Sequence, residues 1–259
     1  MYIKRILYIG LLVYLVVGAL ILIFHRSMIY HPNLIKRNFY DCPAFDDSEK
    51  INTNGTRAYY KHTGNRIVVV YNGNAGSACD RSHLKNVFEE NEYSYLFVEY
   101  AGYGGDDKKP SRELLFRDAE NIVSFLKTKN YTQTLLFAES IGSGVASYHA
   151  TLMPVDRMLF IAPFDSLVNV AKTKFPVFPM FLLEKLSKEN YDNLALLGDY
   201  TGDLRIIHGA KDNVIPFKHG KALFENINIP NKEFIIIDGA GHNDIYDFEK
   251  TWKSISDFL

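Results

Sequence analysis

Six short, continuous runs of apolar residues, separated by longer amphipathic stretches, constrain this fold more than any other feature of the sequence. An apolar run of strand length is typical of a strand that is buried on both faces, with helices covering the sheet. The alternation therefore predicts an α/β fold with a mostly parallel central sheet and helices on both faces. The runs lie at residues 67–71, 95–98, 134–138, 158–161, 204–208 and 234–237.

The alternation has one strand before it and one interruption within it. Residues 56–62 alternate polar and apolar side chains and end at a turn sequence, which predicts an early antiparallel strand. Residues 163–202 show no strand pattern and contain an apolar stretch at residues 175–183. We interpret residues 163–202 as a small cap insertion in a single domain that covers residues 28–259.

An uncharged and almost wholly apolar run occupies residues 6–24. A helix of this length, with a rise of about 1.5 Å per residue, nearly matches a hydrocarbon layer of about 30 Å. We therefore expect residues 1–27 to form a membrane anchor with one transmembrane helix. A cleaved signal peptide, with small residues at 17–19, and a buried core helix are the alternatives. Basic residues flank the run on both sides, so the orientation is not fixed.

The charge balance argues against nucleic acid as a partner. The sequence has 29 Lys and Arg against 30 Asp and Glu, which gives a formal net charge of −1. Binding to a phosphate backbone depends on an excess of positive charge. We therefore do not expect nucleic acid as a partner, whereas the apolar run at residues 6–24 predicts a membrane as one.

The two cysteines, Cys42 and Cys79, are too few for a disulfide framework or a four-cysteine zinc site. Both lie in segments that we interpret as loops, and nothing in the sequence places them within bridging distance. We expect two unlinked thiols, with a disulfide as the alternative in an oxidising compartment.

Ser140 follows the third apolar run, within the sequence Ala138-Glu139-Ser140-Ile141-Gly142. Ligands of doubly wound sheets bind beyond the carboxyl ends of the strands, so this position is suited to chemistry. A nucleophile elbow requires small residues two places before and after its serine, and Ala138 and Gly142 meet that requirement. The alternative is an ordinary strand–helix turn with Ser140 as the helix cap.

Two further strand ends supply the partners that a nucleophilic serine needs. Asp212 follows the fifth run and is suited to orient an imidazole, while His242 follows the sixth run and is suited to act as general base. Asp165, after the fourth run, is an alternative acid. The order Ser, Asp, His along the chain is the order that serine hydrolases with this architecture use.

A glycine-rich loop at residues 72–76 follows the first run. Its glycines allow backbone N–H groups to point at one spot, as stabilisation of a tetrahedral oxyanion requires. We predict that the backbone N–H groups of Asn74 and Ile141 form the oxyanion hole.

The sequence resembles the α/β-hydrolase superfamily, and within it an N-terminally anchored branch similar to bud-emergence-type and abhydrolase-domain depalmitoylase serine hydrolases. Three positions differ from that branch, which usually has His at position 72, Arg at 101 and Gly at 138; here they are Asn72, Ala101 and Ala138. The resemblance rests on residues 28–32, 72–76, 99–104, 140–144, 162–164, 208–216 and 241–242.

The resemblance implies hydrolysis of an ester or thioester through an acyl-enzyme, without a metal or other cofactor. The apolar cap near the anchor suggests a lipid-like acyl group, with Phe164, Phe178 and Phe181 as candidate substrate-binding residues. The alternatives are a lysophospholipase or peptidase-like hydrolase of the same fold, or a non-catalytic membrane-bound scaffold.

Overall fold

The six predicted strands lie in one eight-stranded sheet. The structure is a computed structural model that describes residues 2–32, 37–178, 185 and 187–259. The sheet order is β1-β2-β4-β3-β5-β6-β7-β8. β2 is antiparallel to β1 and β4, and the remaining neighbours are parallel. The strands are β1 (Glu49–Thr53), β2 (Thr56–Lys61), β3 (Arg66–Tyr71), β4 (Tyr93–Glu99), β5 (Gln133–Glu139), β6 (Arg157–Ile161), β7 (Asp203–Gly209) and β8 (Lys232–Ile237).

The mostly parallel sheet and the early antiparallel strand are confirmed, and β1 is the strand that the sequence pattern missed. β1 is an edge strand that pairs with β2 alone, and only Ile51 among its residues is buried. A strand with one buried side chain carries almost no hydrophobic periodicity, because the signal comes from repeated burial on one face.

Helices cover both faces of the sheet, as the alternation predicts. Buried residues of α3, α4 and α7 join one hydrophobic cluster, and those of α2 and α8 join the other. The helices are α1 (Tyr2–Ile29), α2 (Lys85–Glu90), α3 (Arg112–Leu126), α4 (Gly142–Ala150), α5 (Leu167–Lys174), α6 (Asn193–Leu196), α7 (Phe217–Asn226) and α8 (Glu249–Ser256). Short 3₁₀ helices occupy Pro43–Phe45, Ala78–Leu84 and Ile245–Asp247.

The central strand β3 shows why its apolar run is continuous. Ile67 and Val69 pack into the cluster under α3 and α4, whereas Val68 and Val70 pack into the cluster under α2 and α8. All four side chains are almost fully buried. Full burial of one valine stabilises a fold by about 1.5–3 kcal/mol, so both faces of the strand favour apolar residues.

The helix α1 is 28 residues long, and none of its residues is buried against the rest of the protein. This exposure excludes the interpretation of residues 6–24 as a buried core helix. In the described part of the chain, α1 is the one helix that is long and apolar enough to cross a membrane.

The cap insertion lies between β6 and β7 and, in its described part, contains the helices α5 and α6. Each begins with a side-chain cap: Ser166 accepts the N–H of Asn169, and Asp192 accepts the N–H of Ala195. Ser166 and Asp192 also pair as an isolated antiparallel bridge, which joins the two ends of the insertion.

Cys42 and Cys79 form a disulfide bond, which corrects the expectation of two unlinked thiols. The fold brings their Cα atoms to 6.0 Å from each other, although 37 positions separate them in the sequence. Both residues are buried in the cluster under α2 and α8. The disulfide therefore attaches the segment before the sheet to the 3₁₀ helix Ala78–Leu84.

Candidate active site

Ser140 lies in a tight turn between β5 and α4. Its φ of 50° is in the left-handed region, which residues other than glycine seldom occupy and which costs of the order of 1–3 kcal/mol. A Cβ on Gly142 would lie 2.2 Å from the carbonyl oxygen of Tyr71. The turn thus requires glycine two places after the serine, which is one of the two small residues that a nucleophile elbow needs.

Asp212 and His242 lie side by side although 30 positions separate them in the sequence. The Nδ1 atom of His242 is 2.7 Å from Oδ2 of Asp212. The other carboxylate oxygen, Oδ1, accepts the backbone N–H groups of Val214 and Ile215 at 2.9 and 2.8 Å. Asp212 is therefore held by its own loop while it accepts a hydrogen bond from Nδ1–H of His242, which leaves Nε2 of His242 for other chemistry.

A second histidine, His208 at the end of β7, supports the same carboxylate. Its Nε2 lies 3.3 Å from Oδ2 of Asp212 and 2.9 Å from the carbonyl oxygen of Ile215. Burial alone would raise the pKa of Asp212, but hydrogen bonds from His208 and His242 lower that pKa well below its usual range. The carboxylate is consequently ionised at neutral pH.

Ser140 and His242 line one cavity of about 520 Å³ beyond the carboxyl ends of the strands. Within the described residues, the hydroxyl of Ser140 makes no hydrogen bond to the His242 ring. Catalytic hydrogen bonds are often loose in a site without substrate and tighten once the substrate is bound. The structure thus brings the two side chains to the same cavity, and no hydrogen bond from the serine hydroxyl to another described side chain competes with catalysis.

The two residues proposed for the oxyanion hole both lie near Ser140. Asn74 lines the cavity, and Ile141 directly follows the serine. The loop that carries Asn74 approaches the elbow closely, since a Cβ on Gly73 would be 3.8 Å from that of Ser140. Asn72 donates its side-chain N–H to the carbonyl of Gly73 at 3.2 Å and so braces the loop.

One wall of the cavity contains an ionic cluster that the sequence patterns did not reveal. Glu139 forms a salt bridge with Arg81 and accepts the hydroxyl of Tyr246. His83 packs edge-on against the Tyr246 ring, with centroids 4.9 Å apart. The one sequence signal was the acidic residue directly before the serine, and its partners lie 58 and 107 positions away.

Asp165, the alternative acid, does not reach His242. It pairs instead with His219 of α7, whose Nδ1 lies 2.9 Å from Oδ1 of Asp165. Asn169 donates to the second carboxylate oxygen at 2.6 Å. Asp165 therefore belongs to the cap and leaves Asp212 as the partner of His242.

The three phenylalanines named for substrate contact differ in position. Phe164 is fully buried in the core and, among the described residues, is not part of the cavity lining. Its ring packs in the hydrophobic core, just beyond the buried strand β6. Phe178 stacks on Tyr14 of α1 with ring centroids 5.2 Å apart, and Phe181 lies outside the described residues.

Sequence comparison finds relatives among α/β hydrolases, although no family model matches the chain. Human protein ABHD12B is 30% identical over 224 residues, which are 76% of this chain and 61% of that protein. Human alpha/beta hydrolase domain-containing protein 17B is 30% identical over 65% of this chain and 56% of its own length. The chain thus spans less than two thirds of the length of these two relatives. A Saccharomyces cerevisiae protein described as an uncharacterised membrane protein is 28% identical over 64% of the chain.

Solved structures show the same architecture at low sequence identity. An esterase of Pyrococcus furiosus superposes with a TM-score of 0.66 at 17% identity, over 82% of this chain and 88% of that one. A CIB-like hydrolase of Thermoplasma acidophilum gives a TM-score of 0.60 at 21% identity, over 82% and 96%. The fold and the relatives named as hydrolases support the hydrolase class. The chain has the α/β-hydrolase fold and is similar to proteins that are named α/β hydrolases.

Proposed function

We propose that the protein is a membrane-anchored serine hydrolase that cleaves an ester or thioester. The observation that carries the proposal is the shared cavity of Ser140 and His242, in which Asp212 occupies Nδ1 of the histidine at 2.7 Å. This arrangement leaves Nε2 of His242 as the nitrogen that accepts the serine proton. Ser140, His242 and Asp212 then act as nucleophile, general base and orienting acid.

The reaction follows from these roles. The oxygen of Ser140 attacks the acyl carbonyl while His242 accepts the hydroxyl proton, and the N–H groups of Asn74 and Ile141 stabilise the oxyanion. His242 then gives the proton to the leaving alcohol or thiol, and an acyl-serine remains. Water, deprotonated by the same histidine, hydrolyses the acyl-serine and restores the free hydroxyl.

Membrane attachment through residues 6–24 is supported by the exposed apolar surface of α1 and by the yeast relative described as a membrane protein. An apolar surface of that size is unfavourable in water and favourable in a bilayer. The disulfide Cys42–Cys79 favours an oxidising compartment for the catalytic domain, because such bonds are rare in the cytosol. Comparison of free thiols in the freshly purified protein with and without reduction tests that location.

The experiment for the nucleophile is labelling with a fluorophosphonate probe that reacts with activated serines. We expect wild-type protein to be labelled and Ser140→Ala to be unlabelled. Ser147→Ala is the matched control, because Ser147 is a buried serine of α4 and, within the described part of the chain, its hydroxyl bonds only to the carbonyl of Ser143. Labelling that survives Ser140→Ala, or its absence from well-folded wild-type protein, overturns the proposal and favours a non-catalytic scaffold.

The acyl group is tested separately with p-nitrophenyl esters of increasing chain length. The apolar contact between Phe178 and α1 places the cap beside the proposed anchor, which supports a hydrophobic acyl group. We expect kcat/KM to rise from acetate to octanoate. A clear preference for acetate argues against a lipid-like substrate and leaves the serine mechanism intact.

A further inference from the structure

The segment where α1 ends contacts the loop that carries the proposed oxyanion donor. The carbonyl oxygen of Ile29 accepts the side-chain N–H of Asn74 at 2.8 Å. The N–H of His31 donates to the backbone carbonyl of Asn74 at 2.9 Å, and His31 pairs with Ala75 as a parallel bridge. Residues 26–31, here called the exit segment, thus hold both the side chain and the backbone of Asn74.

The same exit segment is fixed on its other side by a buried carboxylate. Glu189 accepts the hydroxyl of Tyr30 at 2.5 Å and the guanidinium of Arg26 at 2.7 Å. The hydroxyl groups of Tyr30 and Tyr191 lie 2.8 Å apart. Tyr191 packs so closely on α4 that a Cβ on Gly144 would lie 2.5 Å from its ring. The exit segment therefore connects to the helix that follows Ser140.

The loop at residues 72–76 needs these contacts because its glycines give its backbone unusual conformational freedom. Gly73 precedes Asn74, and Gly76 follows it with a φ of 82°. Glycine loses more conformational freedom than any other residue when it is ordered, so contacts from outside the loop must hold it. Tyr103 supplies one more, since its hydroxyl donates to the carbonyl of Asn74 at 2.9 Å.

We propose that the side chain of Asn74 is a positioning residue, and that the exit segment of α1 holds the oxyanion loop in its catalytic conformation. The inference rests on the proposed serine-hydrolase function and adds the way in which its site is assembled. The end of the anchor helix is then a structural part of the active site as well as an attachment to the membrane. His31, which lines the cavity, marks the point where the two meet.

The test uses the full chain in detergent or lipid nanodiscs and measures kcat and KM for p-nitrophenyl butyrate. Asn74→Ala keeps the backbone N–H but removes the hydrogen bond to Ile29. Because complete loss of an oxyanion donor costs about 10²–10³ in kcat, a misplaced donor is expected to cost about 10-fold, with KM nearly unchanged. Tyr30→Phe removes one of the two contacts between the exit segment and Glu189, leaves that of Arg26 in place and does not touch the loop, so it is expected to lower kcat by a smaller factor.

Asn91→Ala is the matched control. Asn91 is as partly exposed as Asn74, and its side-chain N–H also donates to a backbone carbonyl at 2.8 Å, that of Val87, away from the cavity. Equal kcat in Asn74→Ala and Asn91→Ala overturns the inference, as does a Tyr30→Phe variant that loses only thermal stability. If Ser140→Ala abolishes labelling in the same preparations, such a result leaves the proposed function standing.

Discussion

Two histidine–aspartate pairs lie beyond neighbouring strands of this sheet, and their surroundings differ. His242 pairs with Asp212 at 2.7 Å, and His219 pairs with Asp165 at 2.9 Å, in both cases through Nδ1. The difference lies at Nε2. In His219 that atom is 3.0 Å from the hydroxyl of Thr173, whereas the His242 ring borders the cavity that contains Ser140.

The comparison shows that a buried pair of this kind is not by itself a catalytic signature. His219 is 4% exposed, and it connects α7 to the cap helix α5, where Thr173 also bonds to the carbonyl of Asn169. Both ring nitrogens of His219 therefore have protein partners. Catalysis requires a ring nitrogen free to exchange a proton with substrate and nucleophile, and the site around His242 provides it.

The strongest test of the comparison replaces each histidine in turn by alanine. Loss of His242 removes the general base, and comparable replacements in serine hydrolases lower kcat by about 10⁵-fold or more. His219→Ala is expected to leave kcat nearly unchanged and to lower the thermal unfolding temperature. The measurement is ester turnover together with thermal unfolding of both variants in the same detergent.

Similar losses of kcat in the two variants, with both still folded, contradict the assignment of roles. Unchanged turnover in His242→Ala contradicts it more directly, because another group must then accept the serine proton.

The next largest effect is expected from the two acids. Asp212→Asn keeps the shape of the side chain but cannot hold the His242 ring in the tautomer that leaves Nε2 unprotonated, and about 10³- to 10⁴-fold loss of kcat is expected. KM is expected to change little, because Asp212 does not contact the substrate. The pH dependence of kcat, measured for wild type and variant, checks the role. A variant within a few-fold of wild type argues that His208 and the backbone hold His242 without the carboxylate.

The sheet and the three catalytic candidates could be predicted from the sequence because each follows a continuous apolar strand. Such a strand predicts where the chain reaches the carboxyl edge, and residues directly beyond that edge must lie close together. Ser140, Asp212 and His242 occupy three of those positions. The sequence favours Asp212 over Asp165, although both follow strands, and in the structure Asp212 is the one of the two that contacts His242.

The rest depends on pairings between distant segments that no local pattern records. The disulfide joins residues 37 positions apart in the sequence. The hydrogen bond between Asn74 and Ile29 joins the loop to the end of α1, and the apolar pattern of α1 does not indicate this contact. The cavity-wall salt bridge to Glu139 is a third example. The first two contacts depend on how residues before the sheet pack onto the domain, and the third joins the 3₁₀ helix Ala78–Leu84 to the end of β5. Helix and strand periodicity contain no information about such packing.

A third buried carboxyl group, that of Glu99, differs from Asp212 and Asp165 because no histidine of the described chain bonds to it. Glu99 is 1% exposed, and within the described residues neither carboxyl oxygen has a hydrogen-bond partner. Burial raises the pKa of Glu99 to about 8. The folded protein then keeps a proton that the unfolded chain has released, so the free energy of unfolding falls as pH rises from the ordinary glutamate pKa of about 4.3 towards 8.

Glu99→Gln removes this proton difference, and we expect the variant to be more stable than wild type by a few kcal/mol above about pH 8. Below about pH 3.5, where Glu99 is mostly protonated in both states, the two proteins should have similar stability. Thermal or urea unfolding across this range measures the effect, with Glu90→Gln, an exposed glutamate, as control. Parallel stability curves for wild type and Glu99→Gln contradict the buried, protonated state.

The smallest effect is expected at the non-catalytic pair. Burial would raise the pKa of Asp165, but hydrogen bonds from His219, Asn169 and the Ser166 backbone lower it. Asp165 thus stabilises the fold above its unfolded pKa, and this contribution is lost as pH falls through the lower, folded pKa. At neutral pH, Asp165→Asn should cost about 2 kcal/mol, typical of a lost hydrogen bond to a charged group, and the cost should shrink below about pH 4. The kcat of Asp165→Asn is expected to stay unchanged across this pH range. Loss of stability without loss of kcat distinguishes Asp165, which supports the cap, from Asp212, whose replacement is expected to lower kcat in a protein that stays folded. A large fall in kcat would instead show that the two pairs act on the same reaction.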